Sequence, residues 1–229
     1  MRGESAANES STDDHNIMKG DSTPSQPSPS SPPFLTGPRR AQLESLLALA
    51  LEHAEDAMRE DGALSPALFV ASPEGLFLLG SGPWADPQQK DDFVANARLL
   101  CAAHAATAVV LAYETWGGEA GPGERLLPDA PPSESPRRKE FIVLSGEAAG
   151  GHSQQRWVPI LRDGQGRFSC LGAVVVPPAK PAEGPPTHLL PEVPPTQEDR
   201  ALAKSMLKVR GLNFVDATSE LRSNDEPHD

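Results

Sequence analysis

Two clusters in this chain have the residue types and spacing that chemistry asks for. Cys101 and His104 lie three apart in an apolar run, so a helix would place them on one stripe. A thiolate beside an imidazole is a nucleophile beside its base, yet apolar surroundings raise a thiol pKa and no third group is evident to orient the ring. The pattern therefore reads as a core cysteine next to a histidine bonded to a carbonyl. His53-Ala54-Glu55 offers a metal-binding histidine and a proton-moving glutamate, but the Pro-Cys-x-x-Cys half of such a zinc site is absent from the sequence. Both residues fall on the charged side of their segment, which predicts a solvated helix surface. His15, His152 and His188 sit in separate loops or tails without zinc spacing, so neither metal nor cofactor is expected. Gly117-Gly118 and Gly150-Gly151 read as turn chemistry, and no G-x-S-x-G elbow marks a serine.

A third group surrounds the stretch from Ala112 to Ser145, AYETWGGEAGPGERLLPDAPPSESPRRKEFIVLS. Apolar runs open and close it, and about twenty residues without any period lie between them. Loops of that length are usually functional or disordered. Glu114 and Trp116 stand at its mouth, and Arg137, Arg138 and Lys139 at its exit. In one reading the cations pair with Glu114, Glu119 or Glu124 and staple the loop back. In the other, Glu114, Trp116, Arg137, Arg138 and Lys139 form a binding surface with Trp116 and Arg138 as anchors, the side chains most enriched at interface hot spots.

These residues need a scaffold, and hydropathy patterning supplies one. From Arg39, Leu43, Leu46, Leu47, Ala50, Ala54, Ala57 and Met58 recur at helical steps after Thr36, a candidate cap. ALFVASPEGLFLLG folds as a hairpin about Ser72-Pro73-Glu74-Gly75, and its consecutive apolar residues imply strands covered on both faces. Asp86 caps a second helix, with Pro87 at its first position and Gln89 reaching back to the Asp86 amide. Its stripe is Phe93, Ala97, Leu100, Cys101, His104 and Ala105. A strand follows to Tyr113, another covers Glu140 to Leu144, and Gln155–Leu161 and Arg167–Val176 flank Asp163-Gly164 as a second hairpin. Pro159 lacks an amide donor, which puts its strand at a sheet edge or in a bulge. Leu202, Met206 and Val209 form the apolar stripe of a last helix that starts at Thr196 and stops at Gly211.

The expected fold is α+β, a single mostly antiparallel sheet flanked by amphipathic helices in the order α-β-β-α-β-β-β-β, a proline linker, then α. Residues 37–176 form the core, 177–195 the linker and 196–211 the final helix, between an acidic, proline-rich tail at 1–36 and an acidic tail at 212–229. Eight prolines among the nineteen residues of the linker suit a surface crossing. The net charge of -12 disfavours nucleic acid and anionic membrane as partners. Two cysteines in apolar runs suggest buried free thiols in a reducing compartment. The first twenty residues lack a secretory signal pattern, and no apolar run reaches the roughly twenty residues of a membrane span, so a soluble cytoplasmic protein is expected.

The element order resembles that of roadblock and profilin-like domains. Glu114, Trp116, Pro132, Ser133, Pro136, Arg138, Lys139 and Glu140 also resemble a family of bacterial and phage proteins in which a Glu-x-Trp strand end precedes a PS-x-x-P-x-R-K-E strand entry. That likeness spans Asp91 to Val176 and implies no activity; where family members often carry a loop histidine, this chain has Glu134 or Ser135. The function expected is a small protein-protein interaction module, self-associating through a sheet edge or a helix. The alternative is a hydrolase or thiol-dependent enzyme with its site between Trp116, Arg138 and Cys101/His104.

Overall fold

The computed structural model describes residues 38–118, 138–175, 188–212 and 214–216. In chain order they form α1 (Arg39–Glu60), β1 (Ala67–Ser72), β2 (Gly75–Gly80), α2 (Pro87–Ala103), β3 (Ala108–Gly118), β4 (Arg138–Ala148), β5 (His152–Arg162), β6 (Phe168–Leu171), α3 (Gln197–Val209) and β7 (Val215–Asp216). The fold is α+β. All strand pairings are antiparallel, and the strands lie in the order β6-β5-β4-β3-β1-β2-β7.

Helix α1 covers one face of the sheet with the stripe its spacing predicts. Leu43, Leu46, Leu47, Ala50, Ala54 and Met58 are all buried against Phe69, Ala71, Val110, Ala112, Ile142 and Leu144. Each fully buried leucine of this kind contributes about 1.5–3 kcal/mol. The helix begins after Pro38 with no side-chain cap; Thr36 lies outside the described residues. His53 corrects the expectation of a solvated charged face. It is half-buried, with its ring edge-on to Phe69 at 5.3 Å, and burial lowers its pKa.

The opposite face is covered by α2, whose Phe93, Val94, Ala97, Leu100 and Cys101 meet Leu68, Val70, Val109 and Leu111. β1 is thus apolar from Ala67 to Ala71 because its alternate residues enter two cores. Asp86 accepts the Gln89 amide at 2.9 Å, while Gln89 Oε1 accepts from the Ala85 amide at 2.8 Å rather than from Asp86. In the first hairpin Ser72 pairs with Gly75 around Pro73-Glu74, and Gly75 has φ +145°.

The C-terminal part departs most from expectation. Leu202, Met206 and Val209 do not face the core: they are 62%, 39% and 87% exposed, and Ala203 and Leu207 are buried in their place. The described end of the proline tract is docked as well. Glu147 accepts the amides of His188 at 2.6 Å and Leu189 at 3.0 Å, and Leu189 is buried. After α3 the chain continues inward, packing Leu212 and Phe214 on the second core and pairing Val215 and Asp216 with Leu78 and Phe77 as β7, where an acidic tail was expected from 212.

Pro159 does not lie on an edge strand, because β5 has neighbours on both sides; it lies where β5 pairing shifts register by one residue, between Trp157↔Val175 and Ile160↔Leu171. The β4–β5 ladder ends at Phe141↔Pro159, whereas β5–β6 pairing begins at Ile160↔Leu171. The Pro159 carbonyl still accepts the Gly172 amide at 2.7 Å. Lacking an N–H, proline closes one ladder and leaves its acceptor for the next.

Candidate interaction surfaces

β3 and β4 extend beyond the apolar runs that mark them, β3 to Gly118 and β4 from Arg138. Eleven pairs join them, from Ala108↔Ala148 to Gly118↔Arg138. Gly117-Gly118 is therefore strand, not turn. A Cβ on Gly117 would lie 2.7 Å from the Phe141 ring, which packs edge-on against Trp157 at 5.3 Å, so this position needs the missing side chain. Gly150 and Gly151 do form a turn, with φ +98° and +82°.

The β3–β4 arm carries four of the five expected binding residues. Glu114 and Trp116 are two apart on β3 and so point to one face. Glu114 accepts the Leu64 amide, which ties the α1–β1 connection to the arm. Burial pushes its carboxyl pKa up, opposed by that amide and by the nearby Arg162. A cation beside Glu114 is Arg162, which comes from β5. Arg162 also donates from Nε to Glu140 Oε2 at 2.6 Å and from a terminal nitrogen to the Gly62 carbonyl at 3.4 Å. Trp116, 39% exposed, joins Lys139, Glu140 and residues 159–162 around an open cleft of about 350 Å³ where β5 leaves β4. Arg138 takes its place in the β4 backbone opposite Gly118. Arg137, Glu119 and Glu124 lie outside the described residues. Glu114, Arg162 and Glu140 thus act as stitches that hold the arm to the end of α1.

Cys101 and His104 are at the other end of β3. Ala108 and Trp116 are eight residues apart, which is about 26 Å along a strand, and His104 precedes Ala108 closely in the chain. The two halves of the alternative enzyme site therefore do not converge. Cys101 is wholly buried and its thiol is pushed up to about 12, chiefly by burial. Cys170 is exposed on β6, although its apolar run predicts burial.

His104 bonds a carboxylate rather than the expected carbonyl. Its Nδ1 donates to Glu74 Oε2 at 2.7 Å, and its ring lies 4.0 Å from Phe77 and 5.6 Å from Phe214. Glu74, in the first hairpin turn, also receives Arg200 and, at 3.0 Å, Lys204 Nζ, both from α3. Burial alone would raise the Glu74 pKa, but hydrogen bonds from Lys204 and His104 together with their charges hold it low. Burial lowers that of His104; Glu74 opposes this, and Lys204 and Arg200 reinforce it.

This carboxylate selects the face that α3 presents. Arg200 and Lys204 are one turn apart, so both reach Glu74 only when the adjoining arc, Ala203 and Leu207, turns inward. Ala203 allows close approach to α2, and Arg210 donates to Asn96 on α2 at 2.5 Å. Leu202, Met206 and Val209 are left as an apolar stripe in solvent. Glu74, Arg200 and Lys204 belong to no motif, since 126 and 130 residues separate the partners. One signal was present: two cations one turn apart beside a second, smaller apolar pair.

Comparison of the chain with family models, curated proteins and solved structures found no match. Among the described residues no helix is long and apolar enough to cross a membrane.

Proposed function

We propose that the protein is a small protein-protein interaction module whose contact surface is the outer face of α3. One observation carries this reading: the helix is already docked through Ala203 and Leu207, yet it displays Leu202, Met206 and Val209 in a row at i, i+4 and i+7. Anchors at that spacing are how an amphipathic helix enters a partner's groove or pairs with another helix. Isolated surface leucines are ordinary, but three on one stripe form a patch of the kind that marks an interaction site. The net charge of -12 supports a protein partner over nucleic acid, and two free thiols support a reducing cytoplasm. The proposed kinship with the bacterial and phage family brings no activity with it. The Trp116 cleft is a second, smaller contact in the same reading.

The test compares wild type with a Leu202→Glu, Val209→Glu variant in affinity capture followed by mass spectrometry. Both positions are exposed, so the fold should persist, checked by circular dichroism. The variant should lose one or more specific partners or its own self-association. Identical partner sets and identical oligomeric state would remove α3 from consideration.

A further inference from the structure

We infer that the described chain from His188 onward is a strap that opens as a unit in acid while α1, α2 and β1 to β6 stay folded. Its switch is His104, which competes with α3 for one carboxylate. Two carboxylates fasten the strap. Glu147 on β4 accepts the amides of His188 and Leu189, and Glu74 between β1 and β2 takes Arg200 and Lys204 from α3. Of the strap's apolar side chains Leu189, Ala203 and Leu207 are buried, Leu212 and Phe214 pack at the margin of the second core, and two residues pair as β7. So few buried contacts put a segment among those that open at less than the global unfolding free energy.

Glu74 joins three elements. Its Oε2 accepts from His104 Nδ1, at the end of α2, at 2.7 Å, and Arg200 and Lys204 reach the same carboxylate from α3. Among the described residues, the charged or titratable groups around His104 are Glu74 from the hairpin turn, Arg200 and Lys204 from α3, and the buried thiol of Cys101 three residues back on α2. β2 and the chain entering β7 contribute the rings of Phe77 and Phe214, and Asp216 is paired through its backbone with Phe77. While the imidazole is neutral, one anion faces two cations. A proton on His104 adds a third cation, held to Glu74 by α2 rather than by the strap. Glu74 then has a partner without α3, and Arg200 and Lys204 are left beside like charge.

The sign follows from what release does to each group. His104 is held below 6.5 first by burial and then by the charges of Lys204 and Arg200; departure of Phe214 and α3 relieves part of the first and removes the second. Glu74 is held low by Lys204 and His104, and release takes Lys204 away. Both groups therefore bind protons more readily in the open form. Opening increases as pH falls through 6.5, and again in the carboxylate range, by up to about tenfold per pH unit for each proton taken up.

Hydrogen exchange of the full chain at about pH 7.5 and 5.5, corrected for the intrinsic pH dependence of amide exchange, tests the strap. Opening at Leu189, Leu190 and residues 200–209 should rise together by about tenfold, while amides of α1 and β3 change by less than about twofold. His104→Gln should remove most of that rise. A second variant keeps the test decisive if His104→Gln unsettles the rings packed on it: Arg200→Gln with Lys204→Gln alters only partly exposed side chains. In wild type the His104 ring resonances should titrate below 6.5, and in the double variant their midpoint should move up towards 6.5. Exchange at 200–209 that is the same at both pH values overturns the inference, as does an equal rise in α1 or a rise in α3 that leaves Leu189 and Leu190 protected. A His104 midpoint unmoved in the double variant overturns the competition for Glu74.

Discussion

Helices α1 and α3 carry the same kind of signal, leucines and other apolar residues at three- and four-residue steps, and they obey it differently. α1 turns that stripe onto the sheet and buries it. α3 turns its stripe away and buries Ala203 and Leu207. The neighbours explain the contrast. α1 meets an apolar surface with the Glu44–Arg156 ion pair beside it, and transfer from water is its main directional preference. α3 meets a carboxylate at the sheet's rim, Glu74, flanked by a histidine between aromatic rings. A charge taken from water needs partners, and Arg200 and Lys204 supply them only at one helical rotation. Periodicity thus locates a helix's face when packing is the sole constraint, and it can be overruled by one anion.

Three measurements break or sharpen this contrast. The largest effect is expected for Leu47→Ala on α1, at a position with no solvent exposure, which should cost about 2–5 kcal/mol of global stability in denaturant titration. A loss below about 1 kcal/mol would mean that the α1 contact is not built as described. Glu74→Gln should cost less, about 1–2 kcal/mol, and chiefly at α3: hydrogen exchange at residues 200–209 should accelerate while α1 amides hold their protection. Equal acceleration in both helices would show that Glu74 supports the whole core rather than the rotation of one helix.

The smallest effect is that of pH. His104 is held below its ordinary value of 6.5 in the folded chain, so on acidification the unfolded chain takes up that proton first and stability falls as pH drops through 6.5. Glu74, also held low, extends the loss into the carboxylate range by the same sign. Melting temperature should therefore decline from pH 7 towards pH 4, and Glu74→Gln should flatten part of that decline. A melting temperature that rises over this interval would contradict the arrangement around Glu74.

Much of the scaffold was legible in the residues. Ser72-Pro73-Glu74-Gly75, Asp86-Pro87 and Asp163-Gly164 are local signals, and each marks the element it predicts because its effect is settled within four or five residues. The α1 stripe is legible for the same reason. What sequence could not supply is set by distant pairs. β3 continues through Gly117-Gly118 because an aromatic ring from β4 fills the space above Gly117, and nothing next to Gly117 announces Phe141. Glu114 and Trp116 are placed by the strand, Lys139 by its neighbour, and a cation that meets Glu114 is Arg162. β7 is only two residues long, too short for any period, and exists because α3 delivers it to the edge of β2.

The proline at 159 has one consequence for how the far end of the sheet can bend. Beyond Phe141 on β4 and Ala112 on β3, the ribbon has no lateral strand pairing to either side among the described residues, while β5 swerves off with its new companion. Two-stranded ribbons coil more freely than wide sheets. What limits torsion of that ribbon is therefore the Arg162–Glu140 ion pair rather than a ladder of backbone hydrogen bonds.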